Sequence, residues 1–260
     1  MIQIENLCKH YGRLAAVDHL NLEISRGEIF GFLGPNGAGK TTTIRVMMGI
    51  LKATSGRVVL GDHDVEKEPE EAKAITGYIP DRPFIYEKLT GGEFLKFVAA
   101  LHHVESKAVE ERIAELLEHF DLSEWRDELI EGYSLGMKQR LVLCAALVHR
   151  PRILIVDEPM VGIDPRGARK LKDLFLSLAQ NGVTVFLSTH SVGVAEELCQ
   201  RVGIIHRGKL IACGTMADLR RLANMNEGSL ENAFLELTRD GDSPVQSPDA
   251  PSASDSVPRK

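Results

Sequence analysis

The chain is poor in the features that mark secreted and membrane-spanning proteins. Its 260 residues include four cysteines, which lie far apart and form no CxxC pair. This usage predicts reduced thiols of a cytosolic protein rather than disulfides or zinc ligands. The N-terminal sequence is MIQIENLCKHYG, which lacks the apolar segment of a signal peptide. No run approaches the roughly 18 consecutive apolar residues of a membrane span.

A basic excess is also missing. The formal net charge is −6, so the chain has no general positive field that would hold nucleic acid. Hydrophobic residues make up 43% and charged residues 26% of the sequence, which is ordinary for a globular protein with a sizeable core. The length suits one large α/β domain or two small ones.

Short apolar strands alternate with helical patterns, which predicts a wound α/β domain. Two segments near the N-terminus alternate apolar and polar residues and predict half-exposed antiparallel strands: IQIENLCKHY and AAVDHLNLEI. Continuous apolar runs predict buried parallel strands. These runs are GEIFGFLG, ILIVDEP and VTVFLSTH. We expect a helix, two short strands and two terminal helices after Thr189.

A helical block is predicted from about Thr90 to His149. Its middle segment, VEERIAELLEHF, is amphipathic at a 3.6-residue period. The last twenty residues, GDSPVQSPDAPSASDSVPRK, contain almost nothing apolar. We therefore expect a folded domain over residues 1–240 and a disordered tail from Gly241 to Lys260.

The sequence GPNGAGKT matches the P-loop pattern and lies between a buried strand and a helix. Glycines of such a loop let backbone N–H groups surround phosphate oxygens, and the helix that follows directs its positive end at them. The side chain of Lys40 would reach the β- and γ-phosphates, and the Thr41 hydroxyl would ligate Mg²⁺. The predicted nucleotide-binding residues are Gly34, Pro35, Asn36, Gly37, Ala38, Gly39, Lys40, Thr41 and Thr42.

Two carboxylates follow the apolar run ILIV. Asp157 ends the predicted strand, where a buried carboxylate is costly unless it faces a cation or solvent, and nucleotide-bound Mg²⁺ is the natural cation beside a P-loop. Glu158 follows on the loop, where it could orient and deprotonate an attacking water. An exposed turn glutamate before Pro159 would be the alternative if the chain had no P-loop.

His190 ends another apolar run, VTVFLSTH. The carboxyl ends of strands are the edge at which open α/β sheets bind ligands, so we expect His190 to share an edge with Lys40 and Asp157. This position favours a contact with the γ-phosphate over an ordinary surface histidine.

The segment YSLGMKQR predicts the start of a helix with Ser134 as its N-cap. Without a carboxylate, a histidine or a cysteine, it performs neither acid–base nor metal chemistry alone. A hydroxyl and the amide of Gly136 at a positive helix end are nevertheless groups that bind an anion.

The P-loop, YSLGMKQR, ILIVDEP, GID and STH occur in an order that resembles the ATP-binding cassette (ABC) ATPase family. The resemblance covers roughly Ile2 to Gly214. It implies an α/β fold with a P-loop NTPase core, an antiparallel β subdomain and an inserted helical subdomain that carries the signature. In that family, the signature helix binds the γ-phosphate of ATP held by the other protomer, which implies this role for Ser134 and Gly136.

The resemblance assigns further residues. Tyr11 would stack on adenine, with Val17 packing nearby, although an exposed strand-end aromatic is an open alternative for Tyr11. Asp164 would lie at the dimer interface. Asp81 stands where most members carry glutamine, so it would ligate Mg²⁺ or, alternatively, cap the turn before Arg82.

The same resemblance implies the partners. The segment Arg82–Phe97 would contact the cytoplasmic helices of a membrane partner. The signature segment departs from the family's usual LSGGQ at Tyr133, Leu135 and Met137. The expected protein is a subunit that hydrolyses ATP with Mg²⁺ and dimerises as a homodimer or heterodimer. It would act at the cytoplasmic face of the cell membrane and drive separate polytopic permease subunits. The similarity to exporter subunits implies export as the direction of transport.

Two alternatives have less support. A soluble ABC ATPase that acts on a ribosome or on nucleic acid usually carries two cassettes or a long coiled coil, and the acidic balance opposes nucleic-acid binding. A P-loop kinase or GTPase would leave YSLGMKQR unexplained, and the chain lacks the guanine-reading N-K-x-D motif.

Overall fold

The computed structural model describes residues 1–82, 84–160, 165–222 and 230–239. The predicted tail, Gly241–Lys260, lies outside the described residues. Among the helices that the model describes, none has the length and apolar character that crossing a bilayer requires. The strands, numbered in chain order, are β1 (Ile2–Tyr11), β2 (Leu14–Ile24), β3 (Ile29–Leu33), β4 (Ser55–Leu60), β5 (His63–Asp64), β6 (Thr76–Ile79), β7 (Ile153–Asp157), β8 (Thr184–Thr189), β9 (Arg201–His206) and β10 (Lys209–Gly214).

Helices surround and interrupt these strands. Three of them, α3 to α5, fall within residues 90–149, where the sequence predicts a helical block. The helices are α1 (Lys40–Met47), α2 (Pro69–Ala74), α3 (Gly91–Leu101), α4 (Ser106–His119), α5 (Leu135–Leu147), α6 (Pro165–Gln180), α7 (Val192–Leu198), α8 (Met216–Leu222) and α9 (Leu230–Arg239).

The strands form two sheets, which confirms the predicted α/β class. The larger sheet has the order β10-β9-β3-β8-β7-β6, and its strands from β9 to β6 are parallel. The smaller sheet has the antiparallel order β2-β1-β4-β5. The predicted strands at both N-terminal segments, at the three apolar runs and at β9 and β10 are all present. The short strands β4 and β5 are additions that the sequence pattern did not indicate.

Strand β3 shows why the parallel sheet has continuous apolar runs. All five of its residues are buried. Ile29 and Leu33 pack in one hydrophobic cluster with the helical block, whereas Phe30 and Phe32 pack in a second cluster with the antiparallel sheet. Because successive side chains of a strand point to opposite faces, a strand between two apolar layers needs apolar residues at every position. The sheet is therefore the layer between the two cores.

Candidate active site

The predicted P-loop connects β3 to α1, and two of its glycines are required by close packing. A Cβ atom at Gly34 would lie 2.4 Å from the carbonyl oxygen of Ile205, which is far inside contact distance. Gly39 has φ of +111°, and a Cβ there would lie 2.4 Å from the carbonyl oxygen of Ala16. Only glycine fits both positions, because every other residue would displace the neighbouring backbone.

Helix α1 begins at Lys40 with an amino terminus that lacks a side-chain cap. Gly39 is the N-cap residue, so no side chain accepts a hydrogen bond there, and the first turn contains no acidic residue. The first N–H groups of a helix have no partner within the helix, and together with the helix dipole they favour an anion. This end of α1, with Thr41 and Thr42 in its first turn, is therefore suited to a phosphate group.

Lys40 is buried, with 6% of its surface exposed. Its ammonium group donates hydrogen bonds to the carbonyl oxygens of Gly34, at 2.7 Å, and Pro35, at 3.3 Å. The same nitrogen lies 3.4 Å from Oε1 of Glu158. The P-loop thus holds a cation over its own backbone, where the phosphates of a nucleotide would bind.

Asp157 ends β7 and is almost fully buried, with 1% exposed. Oδ2 accepts a hydrogen bond from Thr41 Oγ1 at 3.0 Å, and Oδ1 accepts one from Ser188 Oγ at 2.7 Å. Burial raises the pKa of the Asp157 carboxyl, which the two hydroxyl donors only partly oppose. A nearby cation would favour the ionised carboxylate, and oxygen ligands from Thr41 and Asp157 fit Mg²⁺.

Glu158 adopts a backbone conformation that is unusual for its residue type. Its φ is +52°, and its N–H donates to the carbonyl oxygen of Ser188 at 3.0 Å. The left-handed region is costly for residues other than glycine and is concentrated at functional sites. The conformation turns the carboxylate back toward Lys40.

His190 directly follows β8 and completes the cluster. Its Nδ1 lies 2.9 Å from Oε2 of Glu158, and 53% of its side chain is exposed. Because a carboxylate only accepts hydrogen bonds, Nδ1 must carry the proton, which leaves Nε2 directed away from Glu158. The structure therefore brings Lys40, Thr41, Asp157, Glu158 and His190 together at one edge of the sheet, as the sequence predicts.

Asp81 lies near this edge without joining the cluster directly. It follows β6 by two residues, is exposed, and its charge contributes to the raised pKa of Asp157. Within the described part of the chain, Asp81 forms no ion pair with Arg82. This arrangement is compatible with the Mg²⁺ ligand role and removes one support of the turn-cap alternative.

The adenine contacts predicted from the resemblance have different outcomes. Tyr11 is 47% exposed and stands at the end of β1, with the Lys9 ammonium 5.3 Å from its ring centroid, so its ring is accessible. Val17 is 0% exposed and packs in the core of the antiparallel sheet. The packing of Val17 near adenine, which the resemblance implies, stays a prediction. The backbone carbonyl oxygen of the neighbouring Ala16, which is partly exposed, lies against Gly39 of the P-loop.

The signature segment forms the exposed amino terminus of α5. Ser134 is its N-cap, and its hydroxyl accepts a hydrogen bond from the N–H of Met137 at 3.3 Å. Ser134 and Gly136 are exposed, and the Leu135 side chain is 64% exposed, so it does not cover the amides of this turn. No hydrogen bond joins Ser134 to Lys40 among the residues that the structure describes.

Asp164, the predicted dimer-interface residue, lies outside the described residues. Ser188, which holds Asp157, was not singled out in the sequence. The sequence signal for Ser188 is a hydroxyl near the end of an apolar strand. In the structure, the pairing of β7 with β8 places Asp157 beside Ser188.

Comparisons with known proteins agree with this geometry. The family model described as "ABC transporter" matches residues 17–161. Over 245 residues, the chain is 38% identical to a probable multidrug ABC transporter ATP-binding protein, YbhF, of Escherichia coli strain K12. That alignment covers 93% of this chain and 42% of YbhF, so the chain spans less than half of that relative's length.

A second relative and a solved structure match over greater shares of their length. The chain is 40% identical to the linearmycin resistance ATP-binding protein LnrL of Bacillus subtilis strain 168, with 92% of this chain and 79% of LnrL aligned. The solved structure of an ATP binding subunit of an ABC transporter superimposes with a TM-score of 0.86 at 30% identity. That superposition covers 91% of this chain and 99% of the solved one.

Proposed function

Because this chain belongs to the ABC transporter family, we propose that it is the ATP-hydrolysing subunit of a transporter whose permease subunits are separate polypeptides. It is an ATPase of the cassette type. The observation that carries the proposal is the cluster of Lys40, Thr41, Asp157, Glu158 and His190 at the carboxyl edge of the parallel sheet. This cluster contains a group for each part of phosphoryl transfer to water.

Each group has a task that follows from its position. Lys40 and the open end of α1 bind the phosphates and neutralise their charge. The Glu158 carboxylate, held between Lys40 and His190, positions an attacking water and accepts its proton. The exposed Nε2 of His190 contacts the γ-phosphate. Thr41 and Asp157 would hold Mg²⁺, which when bound neutralises charge on the β- and γ-phosphate oxygens.

The complete site requires two cassettes. Ser134 and Gly136 present a hydroxyl and an amide at a positive helix end that is exposed and makes no hydrogen bond with the chain's own Lys40. Such a surface is suited to the γ-phosphate of ATP held by a partner, in a homodimer or a heterodimer. Dimerisation on ATP would then close the site, with Asp164 at the interface.

An exposed aromatic patch supports docking to a permease. The patch consists of Phe84, Tyr86 and Phe97, which are 82%, 50% and 42% exposed. Their rings contact edge to face, with centroids 5.8 Å and 5.6 Å apart. Contiguous exposed aromatics mark interaction surfaces, and this patch lies within the segment Arg82–Phe97 that the family resemblance assigns to the membrane partner.

The relatives support export as the direction. The names of YbhF and LnrL refer to multidrug transport and to linearmycin resistance. The subunit would accordingly act at the cytoplasmic face of the cell membrane, bound to its permease. The alternative of an ABC ATPase that acts on a ribosome or a nucleic acid is not favoured, because the net charge of −6 and the named relatives both point elsewhere.

Changing the aromatic patch tests the permease proposal. We expect Phe84→Ser with Phe97→Ser to reduce co-purification of a polytopic membrane protein by about tenfold or more, since an interface loses most of its energy with its aromatic anchors. Basal ATPase activity should stay within about twofold of wild type, because the patch does not touch the cluster at Lys40. Quantitative mass spectrometry of detergent-solubilised complexes measures the first effect.

The matched control is Ile50→Ser, which changes an apolar side chain of 58% exposure outside the patch. It should co-purify with the same membrane protein at the wild-type level. Co-purification of ribosomal or chromosomal proteins in place of a membrane protein would reject the transporter proposal. Equal recovery of the permease with the double variant would reject the patch as its docking site.

Asp81 provides a test of the metal site. We propose that its carboxylate ligates Mg²⁺, so Asp81→Ala should raise the Mg²⁺ concentration for half-maximal ATPase activity about threefold to tenfold. The Ala variant should also weaken stimulation by the permease more than it weakens basal turnover. Asp81→Gln should restore most of both properties, because its amide oxygen is a neutral ligand on a side chain one methylene longer, of the residue type that the family resemblance expects here. If Asp81→Ala leaves the Mg²⁺ dependence and the stimulation unchanged, the residue only caps its turn.

A further inference from the structure

A polar surface cavity that is open to solvent lies at the edge of the parallel sheet opposite the ATPase cluster. Its volume is about 420 Å³, and three of its lining residues are arginines: Arg26, Arg57 and Arg152. Asp62 and Gln3 also line it. Arg152 immediately precedes β7, and Arg26 lies three residues before the start of β3; the other ends of these strands carry Asp157 and lead to the P-loop. The cavity is therefore separate from the ATP-binding site by the length of these strands.

The arginines come from separate elements with fixed backbones. The N–H of Arg152 donates to the carbonyl oxygen of Ile75 at 2.8 Å, and the Arg152 carbonyl accepts from the N–H of Thr184 at 3.0 Å. Arg57 lies within β4 and pairs with Glu5 of β1 in the antiparallel register. Arg26 lies in the turn before β3. The backbone hydrogen bonds of the sheet thus fix the backbone positions of Arg57 and Arg152, which limits the conformational entropy lost when their side chains bind a ligand.

These guanidinium groups are incompletely paired. Nε of Arg57 donates to Oδ2 of Asp64 at 2.8 Å, which leaves the two terminal nitrogens of Arg57 for another partner. The side chains of Arg26 and Arg152 form no hydrogen bond or ion pair with the residues that the structure describes. Asp64 balances the charge of Arg57, so Arg26 and Arg152 against the lining carboxylate Asp62 leave the cavity with a local positive excess, in a chain whose net charge is −6.

We propose that this cavity binds a small phosphorylated solute. The planar fork of a guanidinium group matches phosphate oxygens in pairs, and arginines from three elements can contact one phosphate from several sides. The volume falls within the range of small-molecule sites. The Asp62 carboxylate and the Gln3 carbonyl accept hydrogen bonds, which favours a solute that also carries hydroxyl groups, such as a sugar phosphate or a nucleotide, over a bare anion.

Pyrophosphate is a probe for the phosphate-binding part of the cavity. The measurement is isothermal titration calorimetry in Mg²⁺-free buffer with the Lys40→Ala variant, in which the P-loop no longer competes. We expect one binding site that Arg26→Gln with Arg152→Gln weakens by about tenfold or more, since charge-assisted hydrogen bonds are lost. Pyrophosphate should also raise the melting temperature of Lys40→Ala, and the raise should disappear with the double substitution.

The matched control is Arg13→Gln, which removes the same charge from an exposed turn outside the cavity. It should leave pyrophosphate affinity within about twofold, as expected for a distant surface charge at physiological salt. No binding by Lys40→Ala at millimolar pyrophosphate, or equal weakening by the control, would overturn the proposal. A crystal of the full chain soaked in tungstate gives a readout without substitutions at the cavity: tungstate between Arg26 and Arg152 supports the proposal, and its absence there overturns it.

A lipid headgroup carries the same phosphate group, so a further measurement distinguishes a membrane lipid from a soluble ligand. Sedimentation with phosphatidylglycerol vesicles should show no binding that depends on Arg26 and Arg152. Vesicle binding that the double substitution abolishes, without pyrophosphate binding in solution, would replace the solute with a membrane surface and reject the proposal as stated. None of these readouts depends on ATP hydrolysis or on a permease, so they fail or succeed independently of the proposed transport function.

Discussion

Glu158→Gln is expected to lower the rate of ATP hydrolysis by about 10²–10⁴-fold while ATP affinity stays near the wild-type value. The amide has nearly the same shape as the carboxylate but cannot accept a proton from the attacking water. The substitution also removes the negative charge that lies 3.4 Å from the Lys40 ammonium. Lys40 then has no ion pair with residue 158 that would compete with its contacts to the phosphates. Phosphate release gives the rate, and equilibrium binding of ATP gives the affinity.

A variant that binds ATP but hydrolyses it slowly should accumulate in the closed dimer. Light scattering of Glu158→Gln with ATP should therefore report about twice the monomer mass, whereas Glu158→Gln with Ser134→Arg should remain monomeric because the bulky cation blocks the signature surface. Glu118→Gln, at an exposed position of α4, is the matched control and should hydrolyse ATP at the wild-type rate. Wild-type turnover by Glu158→Gln would remove this residue from the chemistry.

Lys40→Ala is expected to weaken ATP binding by about 10²-fold or more and to abolish measurable turnover. The ammonium group supplies charge-assisted hydrogen bonds to phosphate oxygens in a largely buried place, where such contacts are strongest. Its loss also leaves the Glu158 carboxylate without the cation that lies 3.4 Å away, which adds repulsion toward an incoming phosphate. Titration calorimetry with ATP measures the change.

The control for this charge is Lys52→Ala, whose side chain is 85% exposed and lies outside the P-loop. It should bind and hydrolyse ATP as the wild type does. Circular dichroism during thermal melting must show that Lys40→Ala is folded, because the substitution removes hydrogen bonds to Gly34 and Pro35. A folded Lys40→Ala protein with wild-type turnover would disprove the P-loop assignment.

Local patterns in the sequence predicted much of the fold and of the candidate site. The β3 run and GPNGAGKT predicted a strand, a phosphate loop and a helix, because strand burial, glycine geometry and helix termini depend on neighbouring residues. Asp157 and His190 were expected at one edge because each ends a buried strand of a parallel sheet. The structure places both beside the P-loop. The order of motifs similarly indicated the family before any comparison.

Positions that depend on strand pairing were not predictable in this way. Val17 was expected to pack near adenine, and the structure places its side chain fully in the core of the antiparallel sheet, while the Ala16 carbonyl oxygen lies against Gly39 of the P-loop. A shift of one residue exchanges the two faces of a strand, so a motif match alone does not decide which residue meets the ligand. Ser188 became a partner of Asp157 through the register of β7 and β8.

The sequence by itself determined most of the strands and helices, with β4 and β5 as exceptions, which loop has the P-loop pattern, and which residue types can carry out hydrolysis. Tertiary structure alone decided that Glu158 turns back at positive φ between Lys40 and His190, and that Arg26, Arg57 and Arg152 line one cavity. The physical reason is the separation along the chain of the residues that interact. Local propensity and burial act between near neighbours in the chain, whereas these contacts join residues that are distant in sequence and meet only when the sheets are paired and packed.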